Sequence, residues 1–219
     1  MKLLAFDTST EACSAALYID GEITSQFEVA PRRHAELILP MIDQLLADAE
    51  CRLSDLDAIA FGRGPGAFTG VRIAAGIAQG LAFAADIPVI AVSSLATLAQ
   101  AVTNNADYIA AAIDARMHEV YFGLYKSGTV VTLVDEERVI PPDDIEINNI
   151  SGCYGTGSGW ITYESILKTK LGNHLQGYDG ARYPDARAML DIAIQEFRDG
   201  KLRKPEEAIP VYLRDKVTG

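Results

Sequence analysis

Cysteine, histidine and positive charge are all in short supply in this chain. The three cysteines, Cys13, Cys51 and Cys153, lie far apart and form no CxxC pair. That spacing supports neither a disulfide framework nor a thiolate metal site, and it fits a reducing compartment. The three histidines, His34, His118 and His174, are isolated, and neither HExxH nor HxxxH occurs. No metal site of the chain's own is expected. No GxSxG nucleophile turn and no GxxxxGK[ST] phosphate loop is present. No uninterrupted apolar run is long enough to cross a bilayer, so no membrane association is expected. Met1 to Phe6 reaches Asp7 before any apolar signal region develops, so no signal peptide is expected. Lys and Arg number 19 against 30 Asp and Glu, a formal net charge of -11. Such a surface repels a phosphate backbone and argues against autonomous nucleic-acid binding. It remains compatible with an acidic subunit of a nucleic-acid-processing assembly.

What is abundant is glycine, concentrated in one place. The 219 residues, 49% of them hydrophobic, suffice for one large domain or two small lobes. Within them, Gly62 to Gly70 is a glycine-dense loop carrying Gly64-Pro65-Gly66. Dense glycine permits unusual backbone angles and close approach by other backbone. Thr69 is placed to cap a helix beginning near Gly70 or Val71. In that helix Val71, Ala74, Ile77, Ala78, Leu81, Ala82 and Ala85 form one apolar stripe. The opposite side carries Arg72, Ala75, Gly76, Gln79, Gly80 and Phe83. It is smooth where a solvated back would be charged. Interior glycine costs about 1 kcal/mol relative to alanine, so close packing must compensate. Either the helix is buried on both sides within the chain, or another subunit covers its back.

The chain opens with a mostly buried strand, Lys2 to Phe6, then a second, Cys13 to Ile19. Asp20-Gly21 is a two-residue hairpin signal and Glu22 to Val29 runs back, giving an antiparallel meander. A helix follows from Pro31-Arg32-Arg33 to about Ala49, with Pro40 expected to bend or restart it. Ala58 to Phe61 is a strand, as is Ile87 to Val92, after which Ser93 or Ser94 caps a short helix through Ala101. This order describes a mixed sheet with helical cover. In the second half, strands are expected at Tyr108 to Ile113, His118 to Tyr125 and Thr129 to Val134, and at Glu146 to Ile150. Helices are expected at Trp160 to Leu171 and from Tyr183-Pro184-Asp185 to a stop at Gly200, before an extended tail, Pro205 to Arg214.

The two halves echo each other. Asp7 precedes the hairpin glycine Gly21 by fourteen residues, and Asp114 precedes Gly128 by fourteen. The spacing reads either as chance or as two related lobes facing across a cleft, with a boundary near Thr103 to Asp107. In the second case Asp7-Thr8-Ser9-Thr10 and Asp114-Ala115-Arg116 occupy equivalent strand ends, where two carboxylates could hold a metal-bound phosphate. Arg32, Arg33, Arg63, Arg72 and Arg116 stand out against the acidic background and are placed to gather near the lobe junction or to lie scattered in solvent.

Asp7-Thr8-Ser9, Arg33-His34-Ala35-Glu36, Gly64-Pro65-Gly66-Ala67-Phe68-Thr69-Gly70-Val71-Arg72 and Ser93-Ser94-Leu95 together resemble the bacterial TsaB family, also called YeaZ. The resemblance extends over essentially the whole chain, through Tyr212-Leu213-Arg214. It implies an α/β, actin-like (ribonuclease-H-like) fold of two lobes, here residues 1–103 and 104–219, each built on a mixed β-sheet with flanking helices. It implies a cytoplasmic, non-catalytic partner and activator of a TsaD-type catalytic homologue. The pair works with a TsaE-type ATPase to install threonylcarbamoyl on the adenosine beside the tRNA anticodon. No cofactor of its own is implied; ATP or ADP would sit at the assembled interface, and tRNA would be met only through the complex. The family docks through the helices of its first lobe. That points to Arg33, His34, Leu37, Ile38, Met41 and Leu45 on one helix, and Arg72, Ala75, Gly76, Gln79, Gly80 and Phe83 on the next. The same face suits a homodimer when the chain is alone. The catalytic relative carries an HxxxH metal pair where this chain has Ser94-Leu95-Ala96-Thr97-Leu98, so protease labels do not transfer. The alternative is an independent Mg-ATP-dependent phosphotransferase or ATPase using Asp7, Thr8 and Asp114.

Overall fold

The computed structural model describes residues 1–103, 105–147 and 150–214. The first sheet starts with β1 (Lys2–Asp7), β2 (Ala12–Ile19) and β3 (Glu22–Val29). Asp20 and Gly21 both take positive φ, 48° and 110°, as a two-residue hairpin with the twist of its strands requires. Ile19 therefore pairs with Glu22 and the expected meander forms. Next come helix α1 (His34–Asp48), β4 (Ala58–Gly62), helix α2 (Phe68–Ala85), β5 (Val89–Val92) and helix α3 (Ser94–Gln100). The strand order is β3-β2-β1-β4-β5, with β4 and β5 parallel to β1.

Two local expectations change. Pro40 does not restart α1, which runs through it as one helix. The cap of α2 is Ala67, not Thr69, and no capping side chain is used. The Ala67 amide instead donates to the Ser9 carbonyl at 2.7 Å, and the Val71 amide reaches the Ala67 carbonyl at 3.0 Å. A tertiary contact starts this helix, so it begins earlier than a capping residue would place it. Ser93 does cap α3, accepting from the Leu95 and Ala96 amides.

The second half repeats the plan. Its strands are β6 (Tyr108–Arg116), β7 (Glu119–Lys126), β8 (Thr132–Leu133), β9 (Arg138–Ile140), β10 (Cys153–Thr156) and β11 (Leu175–Asp179). The order β11-β10-β6-β7-β8 is the first sheet's path again, with β9 also on β7. β6 pairs antiparallel with β7 and parallel with β10, as β1 does with β2 and β4. Even the strand-end turn recurs: the Ser9 amide donates to Asp7 Oδ1 at 2.7 Å, and the Arg116 amide to Asp114 Oδ1 at 2.9 Å. The spacing echo is a repeated topology.

The return strand is shorter than expected, because only Thr132 and Leu133 pair with β7. The expected helix over Trp160 to Leu171 is broken into α4 (Gly159–Thr162) and α5 (Glu164–Leu171). Gly155, a residue type that favours loops, lies inside β10, where a Cβ would come within 2.2 Å of the Trp160 ring. The expected strand over Glu146 to Ile150 falls partly outside the described residues, and its described ends are irregular.

Helix α6 (Ala186–Arg198) is capped by Asp185, whose side chain accepts from the Arg187 amide. It comes from the second half yet lies against the first sheet. Met189, Leu190 and Ala193 share one buried cluster with Leu3, Ala5 and Ile90 of the first sheet and Ile109 and Ala111 of the second. α3 and α6 thus fill the space between the sheets, where each fully buried Leu or Met contributes about 1.5–3 kcal/mol. α1 and α2 cover the other face of the first sheet, through Ile38, Ile42, Ala74 and Ala78 on Phe6, Leu17, Ile59 and Phe61.

The glycines of the loop and of α2 answer differently to an added methyl. At Gly70 a Cβ would lie 2.0 Å from the Thr8 carbonyl oxygen, whereas at Gly76 it would meet nothing within 4 Å. In urea denaturation, Gly70→Ala is expected to destabilise by at least the ~1–3 kcal/mol of an overpacked site. Gly76→Ala should stabilise by up to ~1 kcal/mol through helix propensity.

Candidate functional site: a sealed strand end and an open helix face

The glycine loop closes over the end of β1. A Cβ at Gly62 would lie 2.0 Å from Asp7 Oδ2, one at Gly66 2.2 Å from the Ser9 carbonyl oxygen, and one at Gly70 2.0 Å from that of Thr8. Three glycines therefore seat the three residues of Asp7-Thr8-Ser9. Thr8 Oγ1 donates to the Gly70 carbonyl at 2.7 Å. The Asp7 carboxylate accepts from the Ser9 hydroxyl at 2.6 Å and from the Ser94 hydroxyl at 3.0 Å. Burial pushes its pKa up, against the opposing pull of the Ser9 and Ser94 hydrogen bonds and of nearby His34. Asp7 and Thr8 are fully enclosed, with accessibilities of 1% and 0%. Neither is exposed in the folded chain, so the alternative in which both meet a phosphate finds no open group at this strand end.

Asp114 does face open space. It lines an interlobe cavity of about 440 Å³ together with Glu11, Arg116, Tyr121, Tyr212 and Arg214. Its carboxylate is already engaged by the Arg116 guanidinium at 3.0 Å, and Arg116 also lies 3.8 Å from Glu11. The paired carboxylates of the phosphate reading are thus separated, one sealed in the core and one in the cleft. Among the described residues no group of three or more His, Cys, Asp or Glu side chains is arranged to hold a metal ion. The other arginines singled out by sequence are largely taken by the chain's own carboxylates: Arg63 by Glu137 at 3.3 Å, and Arg33 by Glu28 at 3.2 Å and Glu36 at 3.5 Å. Arg32 and Arg72 have no carboxylate partner among the described residues.

The two helices offered as a docking face divide sharply. On α1, His34, Ile38, Met41 and Leu45 are buried. Ile38, Met41 and Leu45 pack on the first sheet, and His34 is buried with its Nε2 lacking a hydrogen-bond partner among the described residues. All four lie on the inner side of the helix, which corrects their placement on its exposed face. Arg33 is exposed and Leu37 half-buried. On α2, Ala75 is buried, and Gln79 is half-buried with its amide donating to the Ala208 carbonyl at 3.2 Å. The chain's own C-terminal segment therefore covers one flank of the smooth side. The other flank is open: Arg72, Gly76, Gly80 and Phe83 are exposed, Phe83 to 61%, and nothing stands within 4 Å of a Cβ at either glycine. By length and composition α2 would pass for a membrane span. Its buried stripe of Ala74, Ala78 and Ala82 lies on the sheet instead. Sequence reasoning missed two exposed apolar side chains on these helices, Phe68 of α2 at 55% and Leu39 of α1 at 42%. Their only signal was an apolar residue beyond the stripe that the sheet can cover.

Two mixed sheets with one repeated strand order, joined by a shared helical core, define the actin-like, ribonuclease-H-like class. Within that class the family model "TsaD: tRNA N6-adenosine threonylcarbamoyltransferase" matches residues 21–152, more than half of the chain. The tRNA threonylcarbamoyladenosine biosynthesis protein TsaB of Escherichia coli is 44% identical over 99% of this chain and 96% of its own length. That of Haemophilus influenzae is 43% identical over 100% and 95%. The solved structure of YeaZ from Pseudomonas aeruginosa superposes with a TM-score of 0.90 at 46% identity, covering 97% of this chain and 99% of its own. The chain belongs to the TsaB (YeaZ) family.

The raised Asp7 pKa has a pH consequence. The folded protein holds this proton more tightly than the unfolded chain, so Asp7's contribution is fully present below the ordinary aspartate pKa and is lost as pH rises through the raised native value. Urea titrations across that range should show wild type losing stability relative to Asp7→Asn, which has no carboxyl to ionise. A constant difference between the two would contradict the burial argument.

Proposed function

We propose that this chain is the non-catalytic partner and activator of a TsaD-type subunit in threonylcarbamoyl transfer to the adenosine beside the tRNA anticodon. The observation that carries this reading is the open flank of α2, where two glycines in one helix leave a smooth strip facing solvent between Arg72 and Phe83. A helix interior gains nothing from glycine unless something approaches closely, and among the described residues nothing stands within 4 Å of a Cβ at Gly76 or Gly80. The relatives' naming as tRNA threonylcarbamoyladenosine biosynthesis proteins supports the process. The match to a TsaD family model supports a partner of related fold, since related lobes can pair through equivalent helices.

The rest of the assembly follows from the same reading. A net charge of -11 favours meeting tRNA through the complex rather than alone. A TsaE-type ATPase completes the assembly, with ATP or ADP at the assembled interface. The compartment is the cytoplasm, where tRNA is modified. Alone, the chain covers the same strip with a second copy. The enclosed Asp7 weighs against the alternative of an independent Mg-ATP enzyme.

The test is Gly76→Arg. Because nothing lies within 4 Å of that position, the variant should fold with wild-type thermal stability. It should lose co-elution with the TsaD-type subunit in size-exclusion chromatography, and lose threonylcarbamoyladenosine formation in a reconstituted assay. An intact complex would overturn the assignment.

A further inference from the structure

The C-terminal segment is stitched along α2 and onto the second lobe. Arg203 bridges to Val89 through two backbone hydrogen bonds of 2.9 Å, on the edge of β5. Ala208 then accepts from Gln79. The Val211 amide donates to the Arg63 carbonyl at 2.8 Å, and Arg214 pairs with Glu119 on β7. Tyr212, held between the last two anchors, is set against the first turn of α2. Its ring centroid lies 6.1 Å from that of Phe68, and the Arg72 guanidinium stands 3.3 Å from the Phe68 ring and 5.4 Å from the Tyr212 ring.

This stack lies on the surface. Phe68 and Tyr212 are exposed at 55% and 48% and stand at the edge of the interlobe cavity, which both help to line, whereas Arg72 is exposed outside it. Two aromatic rings and an arginine fixed together in solvent are the residue types that dominate binding energy at protein interfaces. Stacking uses the face of the guanidinium and leaves its edge N–H donors free. It also orders a side chain whose rotamer freedom would otherwise be lost on docking. Among the described residues no carboxylate meets those donors; Arg32, Arg187, Arg198 and Arg203 also lack one, but of these five only Arg72 is held by aromatic rings. The stack is continuous with the open strip, because Arg72, Gly76, Gly80 and Phe83 succeed one another down the same exposed side of α2.

We propose that the docking surface is composite: Tyr212 of the C-terminal segment, with Phe68, clamps Arg72 so that its free edge takes a carboxylate of the TsaD-type partner. This rests on the docking role assigned to α2 above and adds the segment, the anchor residue and the charge the partner must present.

The experiment is a titration of the full-length chain with the TsaD-type subunit by isothermal calorimetry, at about 0.05 M and about 0.5 M NaCl, where screening differs strongly. Arg72→Gln and Tyr212→Ala should each weaken binding at least about tenfold at low salt, as interface anchors do. Tyr212→Phe, which keeps the ring, should bind like wild type. Wild-type affinity should fall with salt, and Arg72→Gln should flatten that dependence, which a merely structural change would not do. If Gly76→Arg abolishes binding while Arg72→Gln and Tyr212→Ala bind within about twofold of wild type, the composite surface is wrong and the α2 reading stands. If wild type fails to bind, or Gly76→Arg binds normally, both readings fall. If the two variants lose only self-association in sedimentation while partner affinity is unchanged, the stack serves a second copy and the proposal is overturned.

Discussion

The structure turns on the seating of Asp7-Thr8-Ser9 beneath the glycine loop. Gly62, Gly66 and Gly70 each stand so close to one of these residues that any Cβ would overlap it. The contact joins β1 to the loop that follows β4, and its hydrogen bond from Ala67 to the Ser9 carbonyl sets where α2 begins. It also buries a carboxylate, which survives in the core because two serine hydroxyls and an amide converge on it. The two motifs are one interlocked unit, and neither has room to change without the other.

That unit decides what the strand end can do. An aspartate in solvent at the end of a first strand is available to a metal or a phosphate; this one is spent on architecture. The cleft retains Asp114, already paired with Arg116. With Asp7 and Thr8 enclosed, the exposed feature that distinguishes the first lobe is its outer helical surface. The stretch that begins as a loop packed to contact ends as a helix with two uncovered glycines. Glycine serves opposite purposes within one run: close approach already made in the loop, and room left on the helix.

The repeat was legible because strand, turn and strand leave marks at fixed distances, and the acidic turn at each strand end leaves its own. The second lobe was harder. Its short strands β8 and β9 exist through pairing with β7 rather than through their own periodicity. Gly155 reads as flexible by type yet is held in β10 against Trp160. The placement of α6 on the first sheet also left no local sign, since an apolar helix face does not say which of two sheets it will meet.

The sequence by itself determined the mixed sheet with helical cover, the meander and its hairpin, and the apolar stripe of α2. Composition and local geometry suffice for these, because each depends on residues near one another or on spacing that recurs. Only the tertiary structure decided that Asp7 and Thr8 are sealed, that most of the α1 positions offered to a partner are core, and that the C-terminal segment covers one flank of α2 and leaves the other open. Periodicity states which side of a helix is apolar; whose atoms lie against it is settled by contacts between residues far apart in the chain, such as Gln79 and Ala208.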